Sequence, residues 1–240
     1  MSAFSLSGQT ALVTGANTGI GQAIAAAMAR AGAHVIAAGR SSCAETVAMT
    51  GGEELTLDFA DPMAARDVFS GRRIDILVNN AGIIRRADSV DFTEEDWDAV
   101  MDVNLKAVFF TCQAFAKTAL AHGGGKIVNI ASLLSFQGGI RVPSYTASKH
   151  GVAGITKLLA NEWAAKGINV NAIAPGYIET NNTEALRADP DRNAAILARI
   201  PAGRWGRADD IGEAAVFLSS RAAGYIHGAV LNVDGGWLAR

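Results

Sequence analysis

The stretch Thr10-Ala11-Leu12-Val13-Thr14-Gly15-Ala16-Asn17-Thr18-Gly19-Ile20-Gly21 decides the fold. A short apolar run leads without a break into a TGxxxGxG turn and then into an alanine-rich stretch. Strand, glycine turn and helix start, in that order, make a binding place for a nucleotide pyrophosphate. Gly15 supplies the tight turn out of the strand. Gly19 lets the backbone approach an anion, and Gly21 lets the helix pack close to the sheet. The helix N-terminus then offers free N–H groups and a partial positive charge. Asn17, Thr18 and Ile20 lie on the same turn and are read with the three glycines as contacts to a dinucleotide.

Working outward, short apolar runs alternate with helical stretches. Strands are expected at 10–14, 34–38, 55–58, 74–79, 126–132, 169–174 and 230–233, and helices at 19–31, 62–70, 93–121, 143–166 and 208–219. Several runs are apolar throughout, as in strands covered on both faces. Strand–helix alternation implies a parallel sheet with helices on both sides. The stretches 40–54 and 62–73 are short, so any helix there must be truncated. No linker or repeat divides the chain, which reads as one domain over 1–240. The least regular part, 176–206, follows the sixth strand. It therefore lies where ligands bind in open α/β sheets, and is placed to act as a lid.

Bulk composition narrows the function. The net charge of −2 gives no basic footprint for nucleic acid or an anionic membrane. Two cysteines, Cys43 and Cys112, exclude a disulfide scaffold, and no Cys/His spacing suggests a metal. There is no long apolar run and no basic, apolar leader, so a soluble cytoplasmic protein is expected. Glycine is in excess, at 26 of 240 residues, against a usual share of about 7%.

The ends of the next strands carry polar or small residues where a dinucleotide should lie. An acid after the second strand accepts from the ribose of NAD, and a base pairs with the 2′-phosphate of NADP. Here the chain reads Gly39-Arg40-Ser41, so Arg40 permits NADP. Asp58, before Phe59, can accept from an adenine amino group. Asn80, Ala81 and Gly82 follow the fourth strand, leaving room for a ribose, and asparagine side chains there can pin neighbouring turns. Tyr145 and Lys149 stand four apart on one helix face. A phenol has a pKa near 10 and needs a close cation to serve as a base near neutrality. Ser132 precedes Tyr145 by thirteen residues, where its hydroxyl can hold a substrate oxygen. Asn104 lies inside a helix that it does not favour, where its amide can hold a water that links Lys149 to solvent.

TGANTGIG, NNAG, the Asn104 region, Ser132, YTASK and Pro175-Gly176 stand in the order of the short-chain dehydrogenase/reductase family, which the chain resembles over nearly its whole length. The resemblance implies a Rossmann-type doubly wound α/β fold with seven parallel strands in the order 3-2-1-4-5-6-7. It implies hydride transfer between a nicotinamide cofactor, NAD(H) or NADP(H), and a carbinol or carbonyl carbon. In that reading Tyr145 is the acid/base, and Lys149 lowers its pKa and binds the nicotinamide ribose. Ser132 orients the substrate oxygen and Asn104 holds the relay water. Pro175 and Gly176 line the nicotinamide, with Ile178 and Thr180 on its carboxamide side. The resemblance also implies a homotetramer in which the two long helices of each subunit pair, and the terminal Gly235-Gly236-Trp237-Leu238-Ala239-Arg240 is placed to reach a neighbour's site.

The more particular segments are similar to the branch of that family acting on keto-deoxy sugar acids released from uronate polymers such as pectin. Arg85, Arg86, Arg141, Arg187 and Arg204 lie on loops that face the expected site. Arginine binds a carboxylate through two parallel hydrogen bonds. Arg141, between Ser132 and Tyr145, is the first candidate, with Arg85 and Arg204 beside it. Gln137, Asn181 and Asn182 can serve hydroxyl groups, with Gly138 and Gly139 beside them. A small anionic sugar acid is thus the expected substrate. Two alternatives stand: another reductase of the family, such as a 3-oxoacyl carrier-protein reductase or a sugar dehydrogenase, and a non-catalytic dinucleotide sensor.

Overall fold

The computed structural model describes residues 2–239; Arg240, the end of the expected tail, lies outside them. The first half runs β1 (Thr10–Thr14), α1 (Gly19–Arg30), β2 (His34–Gly39), α2 (Ala44–Thr50), β3 (Glu53–Thr56), β4 (Ile76–Asn79), α3 (Glu94–Met101) and α4 (Ala107–Ala119). The second half runs β5 (Gly125–Ile130), α5 (Pro143–Trp163), β6 (Ile168–Pro175), α6 (Glu184–Ala188), α7 (Pro190–Leu197), α8 (Ala208–Ser219) and β7 (Val230–Val233). All seven strands are parallel, in the order β3-β2-β1-β4-β5-β6-β7, the expected doubly wound sheet.

The two-residue period of the strands divides the core. Ala11 and Val13 of β1 join Ile76 and Val78 of β4 on one face, packed with Ile24, Met28, Ile211 and Ala215. Leu12 and Leu77 point the other way, toward Phe69, Cys112, Phe115 and Leu159. Each fully buried Val, Leu, Ile, Phe or Met among them contributes about 1.5–3 kcal/mol. All eight residues of β6 are buried, as in a strand covered on both faces, and its polar members Asn169 and Asn171 spend their amides on the carbonyls of Ala223, Gly224 and Ile226. The chain reverses between β1 and β4, so a crevice opens beyond their carboxyl ends.

The structure corrects several expected elements. The helix expected over 62–70 is a single 3₁₀ turn, Ala64–Asp67. Asp58 and Asp61 accept from the N–H groups of Ala60 and Met63, giving the backbone a turn in place of a helix. By contrast, the truncated helix expected within 40–54 is present as the seven-residue α2, stopped by Gly51 in the left-handed region. The single helix expected over 93–121 is split by a π-type turn, Asp102–Lys106. The segment 176–206 is more regular than its composition suggests. Pro190 opens α7 at its first turn, and Asp189 caps it by accepting from Asp191 N and Arg192 N. The fifth strand stops two residues before Ser132 rather than at it. The third runs Glu53–Thr56, so Leu57, Asp58 and Phe59 follow it.

Candidate active site

The crevice is built by two turns that hold each other. Thr14 Oγ1 accepts from Asn80 N at 2.9 Å and Ala81 N at 3.0 Å. Asn80 Nδ2 donates back to the carbonyls of Thr14 and Gly15, at 3.0 and 3.1 Å. Gly15 has φ +63°, and a Cβ there would lie 2.9 Å from Ala81 Cα. Only glycine satisfies both the dihedral and the space. The sequence signal for Thr14 as the fastener is its place at the strand end, opposite a polar turn.

Past this joint, α1 starts at Gly19 with no side chain capping it and no acidic residue in its first turn. Its orphan amides are thus free for an anion. Thr180 closes over the same place, its Cγ2 3.6 Å from where a Gly19 Cβ would stand. Arg187 donates to Thr180 O at 3.3 Å, while its Nε is buried without a partner. Unspent donors beside an open helix N-terminus suit a diphosphate. Arg40 is exposed and makes no ion pair among the described residues. The nearby Glu54 is occupied by Cys43 N and Ser42. The residues present fit a dinucleotide, and Arg40 and Ser41 are exposed where a 2′-phosphate would be met.

Other expected contacts are placed less directly. Asp58 is exposed, with one oxygen used in its own turn. Phe59 is buried in the lower core, so it can offer only backbone. Ile178 is buried and bridges to Gly206. Gly176 donates to Val233 O, and a Cβ there would meet Asp234 Cα at 2.6 Å. Asn181 and Asn182 are exposed in a 3₁₀ turn that ends at Thr183.

Asn104, Ser132, Tyr145 and Lys149 come from three elements onto one side of the crevice. Asn104 sits in the π-type turn and is buried. Its amide clamps Ile83, accepting from Ile83 N and donating to Ile83 O, both at 2.8 Å. A further bond of 3.4 Å reaches Ser148. Both ends of the amide are thus engaged by protein. Ser132 Oγ accepts from Leu134 N and starts a 3₁₀ turn. On α5, Lys149 is 5% exposed. Its Nζ donates to Ile130 O at 2.6 Å and lies 5.5 Å from the centre of the Tyr145 ring. Burial pushes its pKa down to about 8. Burial raises the Tyr145 phenol above its ordinary value, while the Ser132 hydroxyl and the Arg86 charge pull it back. The ammonium thus faces a carbonyl rather than the phenol in this geometry.

Three of the five loop arginines are paired. Arg85 meets Asp96 at 3.0 Å, Arg141 meets Asp88 at 3.1 Å and Arg204 meets Asp210 at 2.8 Å. Arg86 is exposed, makes no ion pair among the described residues, and its charge is felt at Tyr145. Gln137 is half-buried and accepts from Trp237 Nε1 at 3.2 Å. Trp237 packs with Leu133 and Ile200 of its own chain.

An anion cradle at the reversal point of a parallel sheet, with a phenol and an ammonium beside it, defines a dinucleotide-dependent oxidoreductase. A family model described as Enoyl-(Acyl carrier protein) reductase matches residues 15–238. The chain belongs to the short-chain dehydrogenase/reductase family, whose members are NAD(P)-dependent oxidoreductases acting on hydroxyl groups. It is 59% identical over 248 residues to a 2-dehydro-3-deoxy-D-gluconate 5-dehydrogenase of Bacillus subtilis (strain 168), covering 99% of this chain and 98% of the relative. A protein of the same name from Escherichia coli (strain K12) is 55% identical over 251 residues, covering 100% and 99%. A crystal structure from Agrobacterium tumefaciens, described as a 2-deoxy-D-gluconate 3-dehydrogenase with bound NADP, is 73% identical with a TM-score of 0.98. It covers all of both chains.

Proposed function

We propose that this enzyme transfers a hydride between a nicotinamide cofactor and a keto-deoxy sugar acid. The activity is of the 2-dehydro-3-deoxy-D-gluconate 5-dehydrogenase or 2-deoxy-D-gluconate 3-dehydrogenase type, within uronate (pectin) catabolism in the cytoplasm. The observation that carries this reading is full-length likeness to relatives bearing those names. Arg86 supports it, as an unpaired cation beside the acid/base that suits a substrate carboxylate better than the paired Arg141, Arg85 or Arg204. For the cofactor, Arg40 and the NADP in the related structure favour NADP. The 176–206 segment serves as the lid, and the enzyme works as a homotetramer.

The nicotinamide supplies the hydride acceptor or donor when bound. Tyr145, held neutral by burial, passes its Oη proton to the carbonyl oxygen during reduction and recovers it during oxidation. Ser132 Oγ–H donates to the same oxygen, where negative charge develops. Lys149 moves from Ile130 O toward the phenol to favour its ionised form. The test is oxidation of NADPH and NADH with a panel of keto-deoxy sugar acids, hexuloses and 3-oxoacyl thioesters. Turnover concentrated on the sugar acids is expected. Turnover on the thioesters alone overturns the substrate assignment. Tyr145→Phe is expected to lose turnover by at least a hundredfold with cofactor affinity intact; near-normal rates in that variant would sink the acid/base role. Arg40→Ala is expected to raise the KM for NADPH about tenfold and leave that for NADH unchanged; equal effects on both would remove Arg40 from the 2′-phosphate.

A further inference from the structure

We propose that Trp237 is a positioning residue that fixes the polarity of Gln137 toward the substrate. An indole N–H can only donate, so the amide group facing it must be the oxygen. Trp237 Nε1 lies 3.2 Å from Gln137 Oε1, which turns both amide N–H donors the other way. Those donors have no partner among the described residues and are not sealed in the interior. Gln137 follows Ser132 by five residues, on the loop beyond β5. In this proposal those donors serve the substrate, so Gln137 offers it donors only and selects an acceptor such as a carboxylate, keto or hydroxyl oxygen.

The indole can hold this orientation because it is itself fixed. Trp237 is 4% exposed and packs with Leu133, the neighbour of Ser132, and with Ile200. The Arg199 guanidinium lies 3.9 Å above its ring and Tyr177 packs 4.8 Å from it. Asp234 turns the tail by accepting from Gly236 N and Leu238 N, both at 2.9 Å. Gly235 has φ +64°, and a Cβ there would meet Ile200 Cγ2 at 2.8 Å. The tail is thus seated on residues 199–201 and on the Ser132 loop together.

This inference rests on the sugar-acid reading for the substrate, and its test is a double-mutant cycle. Trp237→Phe keeps the ring and loses only the N–H. It is expected to raise the KM for the sugar acid about tenfold, with kcat within twofold and cofactor affinity unchanged. Gln137→Ala should do the same, and the double variant should be no worse than Gln137→Ala alone. Gln137→Glu still accepts from Trp237 but presents an anion, and should raise the KM further. An unchanged KM in Trp237→Phe, or effects that multiply in the double variant, would overturn the proposal. Should the wild type ignore every sugar acid, the substrate reading fails, and the same cycle is read on whichever panel substrate is turned over.

Discussion

At Lys149 the chain buries an ammonium group against a single carbonyl, Ile130 O at 2.6 Å. Its pKa falls from 10.5 to about 8. At roughly 1.4 kcal/mol per unit, burial of the charge costs about 3 kcal/mol at neutral pH. The sign follows from proton uptake. Between pH 8 and 10.5 the unfolded chain holds a proton that the folded chain has released, so stability rises with pH across that window. Lys149→Met removes the penalty and leaves Ile130 O without its donor, a loss of about 1–3 kcal/mol. The two nearly cancel, so Lys149→Met is expected to be inactive yet as stable as the wild type at pH 7, by urea melts. A loss above about 3 kcal/mol would contradict the assigned cost. Arg86→Ala is expected to raise the KM for an acidic sugar ten- to a hundredfold, the worth of a charge-assisted bond of about 1.5–3 kcal/mol. A neutral polyol should show no change; an unchanged KM for the acid removes Arg86 from the site. That Tyr145 and Lys149 share a helix face was legible from their spacing, and the ammonium lies 5.5 Å from the ring centre; their roles came from the family resemblance. The state of Arg85, Arg141 and Arg204 was not legible, because their partners Asp96, Asp88 and Asp210 are set by loop geometry.

Among elements, the parallel sheet was legible because apolar strands alternate with helices, while its order followed from the family resemblance carried by the motifs. Helix 62–70 failed for a local reason, since Asp58 and Asp61 compete for backbone N–H groups that a helix needs. The π-type turn at Asp102–Lys106 is hidden in the sequence because the helix after it is apolar on more than one side, as at Val108-Phe109-Phe110, which masks the shift of phase that an extra residue makes. It nevertheless carries Asn104 to Ile83, so its effect falls on the site. The contact of α1 with α8 depends on Gly212, where a Cβ would lie 2.9 Å from Ala23 O and 3.0 Å from Ala27 Cβ. Helix propensity favours alanine over glycine by about 1 kcal/mol. Overpacking costs about 1–3 kcal/mol, and here the obstacle is backbone that cannot swing aside. Gly212→Ala is therefore expected to destabilise, lowering the urea midpoint; a raised midpoint would show that the two helices can part without cost.

Over the whole molecule, the net charge of −2 says nothing of where charge sits. Three of the five loop arginines are neutralised by nearby acids, and one unpaired cation beside a phenol matters more than the sum. The apolar surface is similarly uneven. Trp97 on α3 and Leu158 on α5 are 39% and 47% exposed, and Leu120, just past α4, is 42% exposed. These belong to the helices that the sequence resemblance pairs between subunits, which makes them candidates for the proposed contact. With a chain of 24.9 kDa, the homotetramer proposed above has a mass of about 100 kDa, measurable by light scattering. Leu158→Lys places a charge on the α5 exterior without touching Tyr145 or Lys149 on the opposite course of the helix. It is expected to shift the mass to dimer or monomer with the melting curve of the isolated subunit preserved. A wild-type mass of a single chain would contradict the assembly, and a Leu158→Lys variant that stays tetrameric would move the contact off α5.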